Sequence, residues 1–227
     1  TIYDRDYETL GDQDSYVYIG TEFAQATASP SHLFKFHMSE GGLRVPLIMS
    51  GPGINKGKNH NFAFVTDIAA TISDIVFDEV DERIIGKSLQ NSLAGSNENN
   101  YEDFEAVGLE VTGNSALFKG NYKIVRNRPP NGSNQWELYN LHEDPGETQD
   151  LSKIMPDKLF ELIEDYDQYA QINGVIELPL DYQWAEEMTV NTFKRNYLPL
   201  LLRAVSVIAL TVFVVIYLRR RWKKTQN

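Results

Sequence analysis

Residues 32–53, HLFKFHMSEGGLRVPLIMSGPG, put Lys35 six residues ahead of a Gly-Gly pair, with Arg44 and Pro46 close behind. A compact ammonium beside sharply bending backbone suits an oxyanion. It attracts a tetrahedral anion and stabilises charge that spreads onto its oxygens during transfer. The plainer alternative is an ordinary loop that feeds a buried strand. Two imidazoles, His32 and His37, flank the lysine and invite a proton-transfer reading. Glu40, Gly41, Gly42 and Arg44 read as structural, the glycines making a turn and Arg44 pairing with a nearby carboxylate or carbonyls.

Those residues need elements to hold them. The apolar run 43–49, LRVPLIM, reads as a buried strand with Pro46 near its start. After the polar turn GPGINKGKNHN, a helix is expected from about Thr66, whose hydroxyl would cap it. Ile68, Ile72, Ile75 and Val76 follow at helical spacing. A strand followed by a helix is what an α/β layer supplies. Residues 88–103 are polar and Asn-rich and read as a linker or surface loop.

The pattern then changes to short aromatic and β-branched runs, FEAVGLEVT, SALFKGNYKIVRN and QWELYNLHEDPGE. Three or four antiparallel strands fit, with a tight hairpin at Gly120-Asn121 and a longer loop at RPPNGSNQ. The segment PDKLFELIEDYDQYAQING reads as a helix with Pro156 in its first turn. Its apolar stripe is Leu159, Leu162, Ile163, Tyr166 and Tyr169, and Asn173-Gly174 closes it. The fold class is α/β. Its parts are the C-terminal end of an α/β domain (1–87), the loop 88–103, a small antiparallel sheet plus helix (104–182), a stalk (183–197), a transmembrane helix (198–218) and a basic tail (219–227).

Charge is divided sharply along the chain. Residues 1–193 hold all 32 acidic residues and 13 of the 21 Lys and Arg, a formal −19, while 194–227 carries +8. An acidic body argues against nucleic acid as a partner. The absence of cysteine removes disulfides, thiolate metal sites and a Cys nucleophile from this segment. Thr1 opens in mid-pattern, without a start methionine, so the chain is expected to be the C-terminal part of a longer protein.

Residues 198–218, LPLLLRAVSVIALTVFVVIYL, would span roughly 31 Å as a helix, which matches a bilayer's hydrocarbon core. Arg203 sits where its side chain can snorkel, and Tyr197, Tyr217 and Trp222 occupy interfacial positions. Five cations follow the span (Arg219, Arg220, Arg221, Lys223 and Lys224), against Lys194 and Arg195 before it. The positive-inside rule puts the tail in the cytoplasm and the acidic body on the periplasmic or extracellular side of a single-pass membrane protein.

Three stretches together, SYVYIGTEFAQATASPSHLFKFHMSEGGLRVPLIMSGPG, FAFVTDIAATISDIV and WELYNLHEDPGETQDLS, resemble the sulfatases of the alkaline-phosphatase superfamily, most closely the bacterial arylsulfatases. They occur in the family's order and cover roughly residues 1–175. The resemblance makes 1–87 the end of the sulfatase catalytic domain. It implies hydrolysis of a sulfate ester at a formylglycine nucleophile beside Ca2+. It also makes Lys35 the lysine that reaches the sulfate, both substrate-binding and catalytic.

The family's Cys-or-Ser-x-Pro-x-Arg motif, its calcium-binding aspartates and its catalytic histidines have no counterpart here. Formylglycine and calcium would belong to the missing N-terminal part, which becomes this segment's partner beside the sulfate-ester substrate and the membrane. Taken alone, the segment is expected to be inactive. The family pattern gives His32 and His37 no role, so packing or surface positions are expected for both.

No metal ligand is assigned: the acidic EDPGETQD lacks alternating oxygen ligands and reads as a turn. His60 and His142 read as solvent-facing, Asn131 in NGS as a formal glycosylation acceptor, and the sheet's aromatics as core. Two rival functions stay open. One is a phosphate or phosphonate ester hydrolase of the same superfamily. The other is a non-catalytic anchored binding module derived from a sulfatase.

Overall fold

The computed structural model describes residues 6–13, 15, 20–179, 181–182 and 184–225, without the side chains of 184, 185 and 223–225. Most of the SYVYIG stretch and the end of the basic tail lie outside those residues. The chain forms two compact units, Thr1–Glu177 and Leu178–Asn227.

In the first unit a 3-10 turn at Tyr7–Thr9 precedes helices α1 (Gly20–Ala28), α2 (Glu40–Leu43), α3 (Val65–Phe77) and α4 (Gln90–Leu93). Strands β1 (Ala106–Val111), β2 (Asn114–Lys119), β3 (Tyr122–Arg126) and β4 (Glu137–Asn140) come next, and α5 (Pro156–Asn173) closes the unit. The strands form an antiparallel meander in the order β1-β2-β3-β4. Thr112 and Gly113, with φ of 53° and 80°, make the β1–β2 turn, a primed hairpin that suits the strands' twist. The expected hairpin at Gly120 is present, with φ of 56°.

Side chains alternate between the sheet's faces, so each face acquires its own cover. On one face, Leu117, Ile124 and Leu138 pack against Leu162 and Tyr166 of α5, ringed by Trp136, Leu159, Ile163 and Tyr169. The helical stripe and the aromatic core are therefore as the sequence reads. Tyr166 donates its hydroxyl to Ser115 Oγ at 2.9 Å. A Cβ on Gly108 would lie 2.3 Å from the Tyr169 ring, so the bare glycine is what lets α5 approach β1. On the other face, Ala116, Val125 and Tyr139 pack against Met38, with Leu43, Leu109 and Leu141 alongside. The sheet is thus a layer between α5 and the segment that carries Lys35.

Helix α3 lies where a helix is expected, but its cap differs. Phe64 is the N-cap, and the carboxylate of Asp67 accepts the Phe64 N–H at 2.7 Å. Asp67 is buried and also accepts from the Lys87 N–H at 2.8 Å and the Tyr101 hydroxyl at 2.5 Å. A carboxylate with three donors outcompetes the hydroxyl of Thr66, because charge-assisted bonds are the stronger ones. The apolar stripe also faces outward: Ile72, Ile75 and Val76 are exposed, while Asp67, Ala70 and Thr71 are buried.

The expected strand 43–49 does not form. Residues 44–50 have no strand partner among the described residues, and Val45, Leu47 and Ile48 are exposed. An apolar run becomes a buried strand only when it pairs with a sheet edge, and 44–50 pairs with neither edge strand of the meander, β1 or β4.

In the second unit, α6 (Trp184–Asn196) covers the span read as a stalk, and α7 (Leu198–Thr225) follows. Its described side chains are exposed all round. Ser206 and Thr211 return their hydroxyls to the carbonyls of Leu202 and Val207, each at 2.8 Å. The helix is long and apolar enough to cross a membrane.

Candidate functional site around Lys35

Lys35 lies in an irregular loop between α1 and α2, exposed, with its ammonium 5.1 Å from the centroid of the Phe36 ring. Among the described residues, no carboxylate pairs with it. By contrast, Lys119 bonds Glu161 and Asp165, Lys87 bonds Glu105, and Lys123 bonds two glutamates.

The loop's backbone is strained. Leu33 and Phe36 take φ of 56° and 78°, left-handed values that cost bulky residues about 1–3 kcal/mol each. Such backbone persists only where its surroundings over-determine it. Here they do. The Phe36 carbonyl accepts from Asn114 Nδ2 at 2.7 Å, and the Met38 N–H donates to Asn127 Oδ1 at 2.8 Å. Asn127 Nδ2 donates to Ser39 Oγ at 2.9 Å. All of these partners come from β2 or the end of β3.

Beneath the loop lies a buried ion cluster. Lys123, fully buried on β3, donates from Nζ to Glu40 Oε1 at 2.8 Å and Glu147 Oε1 at 2.7 Å. Glu147 Oε2 accepts the Glu40 N–H at 2.8 Å. Arg44 stands 3.9 Å from Glu40, the pairing its position suggests, so two cations face two carboxylates. Removing Lys123, Glu40 or Glu147 costs about 3–5 kcal/mol, because its partners are left buried and unpaired, whereas Arg44 lies at the exposed edge of the cluster.

The two glycines need a correction. They sit in the helical turn α2 and neither has positive φ. They are required for closeness: a Cβ on Gly41 would meet Leu33 O at 2.0 Å, and one on Gly42 would meet His37 O at 2.2 Å. The backbone doubles back against itself, and no side chain fits between.

His37 is buried, with Nδ1 2.9 Å from the Phe34 carbonyl and Nε2 3.1 Å from Asn131 Nδ2. A ring that donates from Nδ1 and accepts at Nε2 satisfies both bonds, so His37 is a packing residue. His32, His60 and His142 are exposed. Three of the four acids of EDPGETQD are spent internally, while Glu143 is exposed. Asp144 accepts the N–H groups of Thr148 and Gln149, Glu147 holds Lys123, and Asp150 accepts those of Leu138 and Ser152. Burial alone would raise the carboxyl groups of Asp144 and Asp150, but these hydrogen bonds hold both below the usual aspartate value.

Sequence reasoning missed Lys123, Asn127 and Glu147. One signal was available: Lys123 shares strand parity with Val125, which puts it on an inward face.

The chain matches the N-sulphoglucosamine sulphohydrolase C-terminal family over residues 31–168, more than half its length. It is 34% identical over 201 residues to an uncharacterized sulfatase of Schizosaccharomyces pombe, covering 79% of this chain and 34% of that protein. Arylsulfatase K of Xenopus laevis is 24% identical over 159 residues, covering 65% of this chain and 30% of that protein. The crystal structure of Ps i-CgsB shares the fold, with a TM-score of 0.55 and 18% identity over 75% of this chain and 38% of that one. The chain therefore spans about a third of the length of the curated relatives it matches. It has the small sheet, the covering helix and the clamped loop in one unit, and it belongs to the N-sulphoglucosamine sulphohydrolase C-terminal family of sulfatases.

Proposed function

We propose that this chain supplies one wall of the active site of a membrane-anchored sulfatase, with Lys35 contacting the sulfate group of the substrate. The observation that carries the reading is the exposed Lys35 ammonium, with no carboxylate partner among the described residues, on a strained loop fixed by side chains of the neighbouring sheet. A fixed cation lowers the energy of charge developing on sulfate oxygens without reorganising during the reaction. Sulfate and phosphate share tetrahedral geometry, so the same lysine would also serve a phosphoester hydrolase.

The residues present do not fit a calcium or formylglycine site. The sequence holds no Cys-or-Ser-x-Pro-x-Arg motif, and no group of three or more His, Asp or Glu gathers to hold a metal among the described residues. We assign both groups to the remainder of the full-length protein and derive no step through them. The apolar face of α3 and the exposed run at Val45, Leu47 and Ile48 form the surface on which that remainder would pack. Helix α7 would then carry the assembly in a membrane, with the acidic body outside.

The test uses the full-length protein expressed with its maturation enzyme. It measures hydrolysis of a chromogenic aryl sulfate, the matching phosphate and N-sulphoglucosamine, each with and without a calcium chelator. Chelator-sensitive turnover of a sulfated substrate is expected. Dominant phosphate turnover would move the protein to the sibling class, and no turnover by the folded protein would leave a binding module.

A further inference from the structure

We infer that Lys123 and Glu147 are positioning residues for Lys35, acting from the sheet through Glu40. The inference rests on the reading that Lys35 contacts the sulfate. Among the described residues, Lys123 Nζ is the one atom that touches both carboxylates, at 2.8 Å and 2.7 Å. One of these, Glu40, begins the helical turn that directly follows the lysine loop. The other, Glu147, grips the same turn by its backbone N–H.

Glu147 takes a left-handed φ of 55° to do this, which makes it the third strained residue of the network, after Leu33 and Phe36. Strain that falls on both sides of one clamp is what holding a loop at an unfavourable place requires. The clamp is also dry: Lys123, Glu40 and Glu147 are all buried. A cation whose distance to a reacting anion matters cannot ride on a loop that drifts. A displacement near 1 Å costs turnover roughly 100-fold in well-oriented sites.

The experiment is a double-mutant cycle in the full-length protein, pairing Lys123→Met with Lys35→Ala and reading kcat and KM on a sulfated substrate. Amide hydrogen exchange across residues 36–42 is measured beside it. Lys123→Met is expected to lower kcat roughly 10- to 100-fold when Lys35 is present. It should cost less than about twofold in kcat when Lys35 is already alanine, since residues acting as a unit are non-additive. Exchange at 36–42 should quicken while the amides of β2 and α5 stay protected.

Should Lys123→Met fail to fold, Glu147→Gln replaces it. That variant keeps an acceptor for Lys123 but loses the grip on the Glu40 N–H. Equal losses with and without Lys35, or unchanged exchange at 36–42, would overturn the inference. An unaffected kcat in Lys35→Ala alone would instead overturn the sulfate-contact reading, and the cycle separates the two failures.

Discussion

An exposed ammonium is worth little unless something prevents it from wandering, and Lys35 is exposed while the backbone on either side of it is not free. Lysine carries about 2 kcal/mol of rotamer entropy, so the fixed backbone bears most of the ordering. In the full-length protein, Lys35→Ala is expected to lower kcat about 10²- to 10³-fold, the range for loss of one oxyanion-stabilising group. Its thermal midpoint should not move, because the side chain is exposed and its ammonium rests against its neighbour Phe36. Unchanged kcat beside an unchanged melt would remove Lys35 from the site. The lysine's place ahead of Gly-Gly was legible in the sequence, while its contact with sulfate is a proposal that the resemblance suggested. Its supports were not: Asn114, Asn127 and Glu147 lie 78 to 107 residues from the groups they hold. Such pairings depend on which face of a strand meets which loop. Asp67 was overlooked for a related reason. A capping carboxylate looks like any acid of a first turn until Lys87 and Tyr101 converge on it from a distance.

At the scale of elements, the meander and α5 were readable because their patterns are local: period two in the strands, a helical stripe opposite them, and glycine where the chain turns. The run 43–49 misled because hydrophobicity reports that a segment wants cover, not that cover is supplied by its own chain. Helix α2 misled differently, since glycine serves a turn or a close approach equally well. This gives a sharp expectation for Gly41→Ala. With Leu33 O 2.0 Å from the new Cβ, the loop must shift as a whole. A loss of about 1–3 kcal/mol of stability should accompany the displacement, and a lowered thermal midpoint checks it. The turn after β4 supplies a pH test. Asp144 and Asp150 have carboxyl groups held below the usual value, so they stabilise the fold above that value and cease to do so as they protonate. Thermal midpoints should therefore be flat near neutrality and fall from about pH 4 downward. Asp150→Asn should shallow that fall. An Asp150→Asn protein with the same acid profile would show that these hydrogen bonds do not set it.

Over the whole molecule, the charge asymmetry and helix α7 are two views of one arrangement. A helix with apolar side chains exposed on every face is costly in water, at roughly 25 cal/mol per Å² of apolar surface. Within hydrocarbon that cost disappears, and the hydroxyls of Ser206 and Thr211 already have carbonyl partners that spare them the penalty of an unsatisfied polar group. In the proposed orientation, the positive-inside rule would keep the five cations between Arg219 and Lys224 in the cytoplasm and let the acidic body cross. The chain should therefore stay with membranes through an alkaline carbonate wash, and a version ending before Leu198 should be released by it. Protease added to sealed cells should digest the body and spare a tag placed after Asn227. If the full chain washes off the membrane, α7 is covered by protein instead of lipid. If the tag is cut and the body survives, the anchor stands but its direction is reversed, and Lys35 would then meet cytoplasmic substrates.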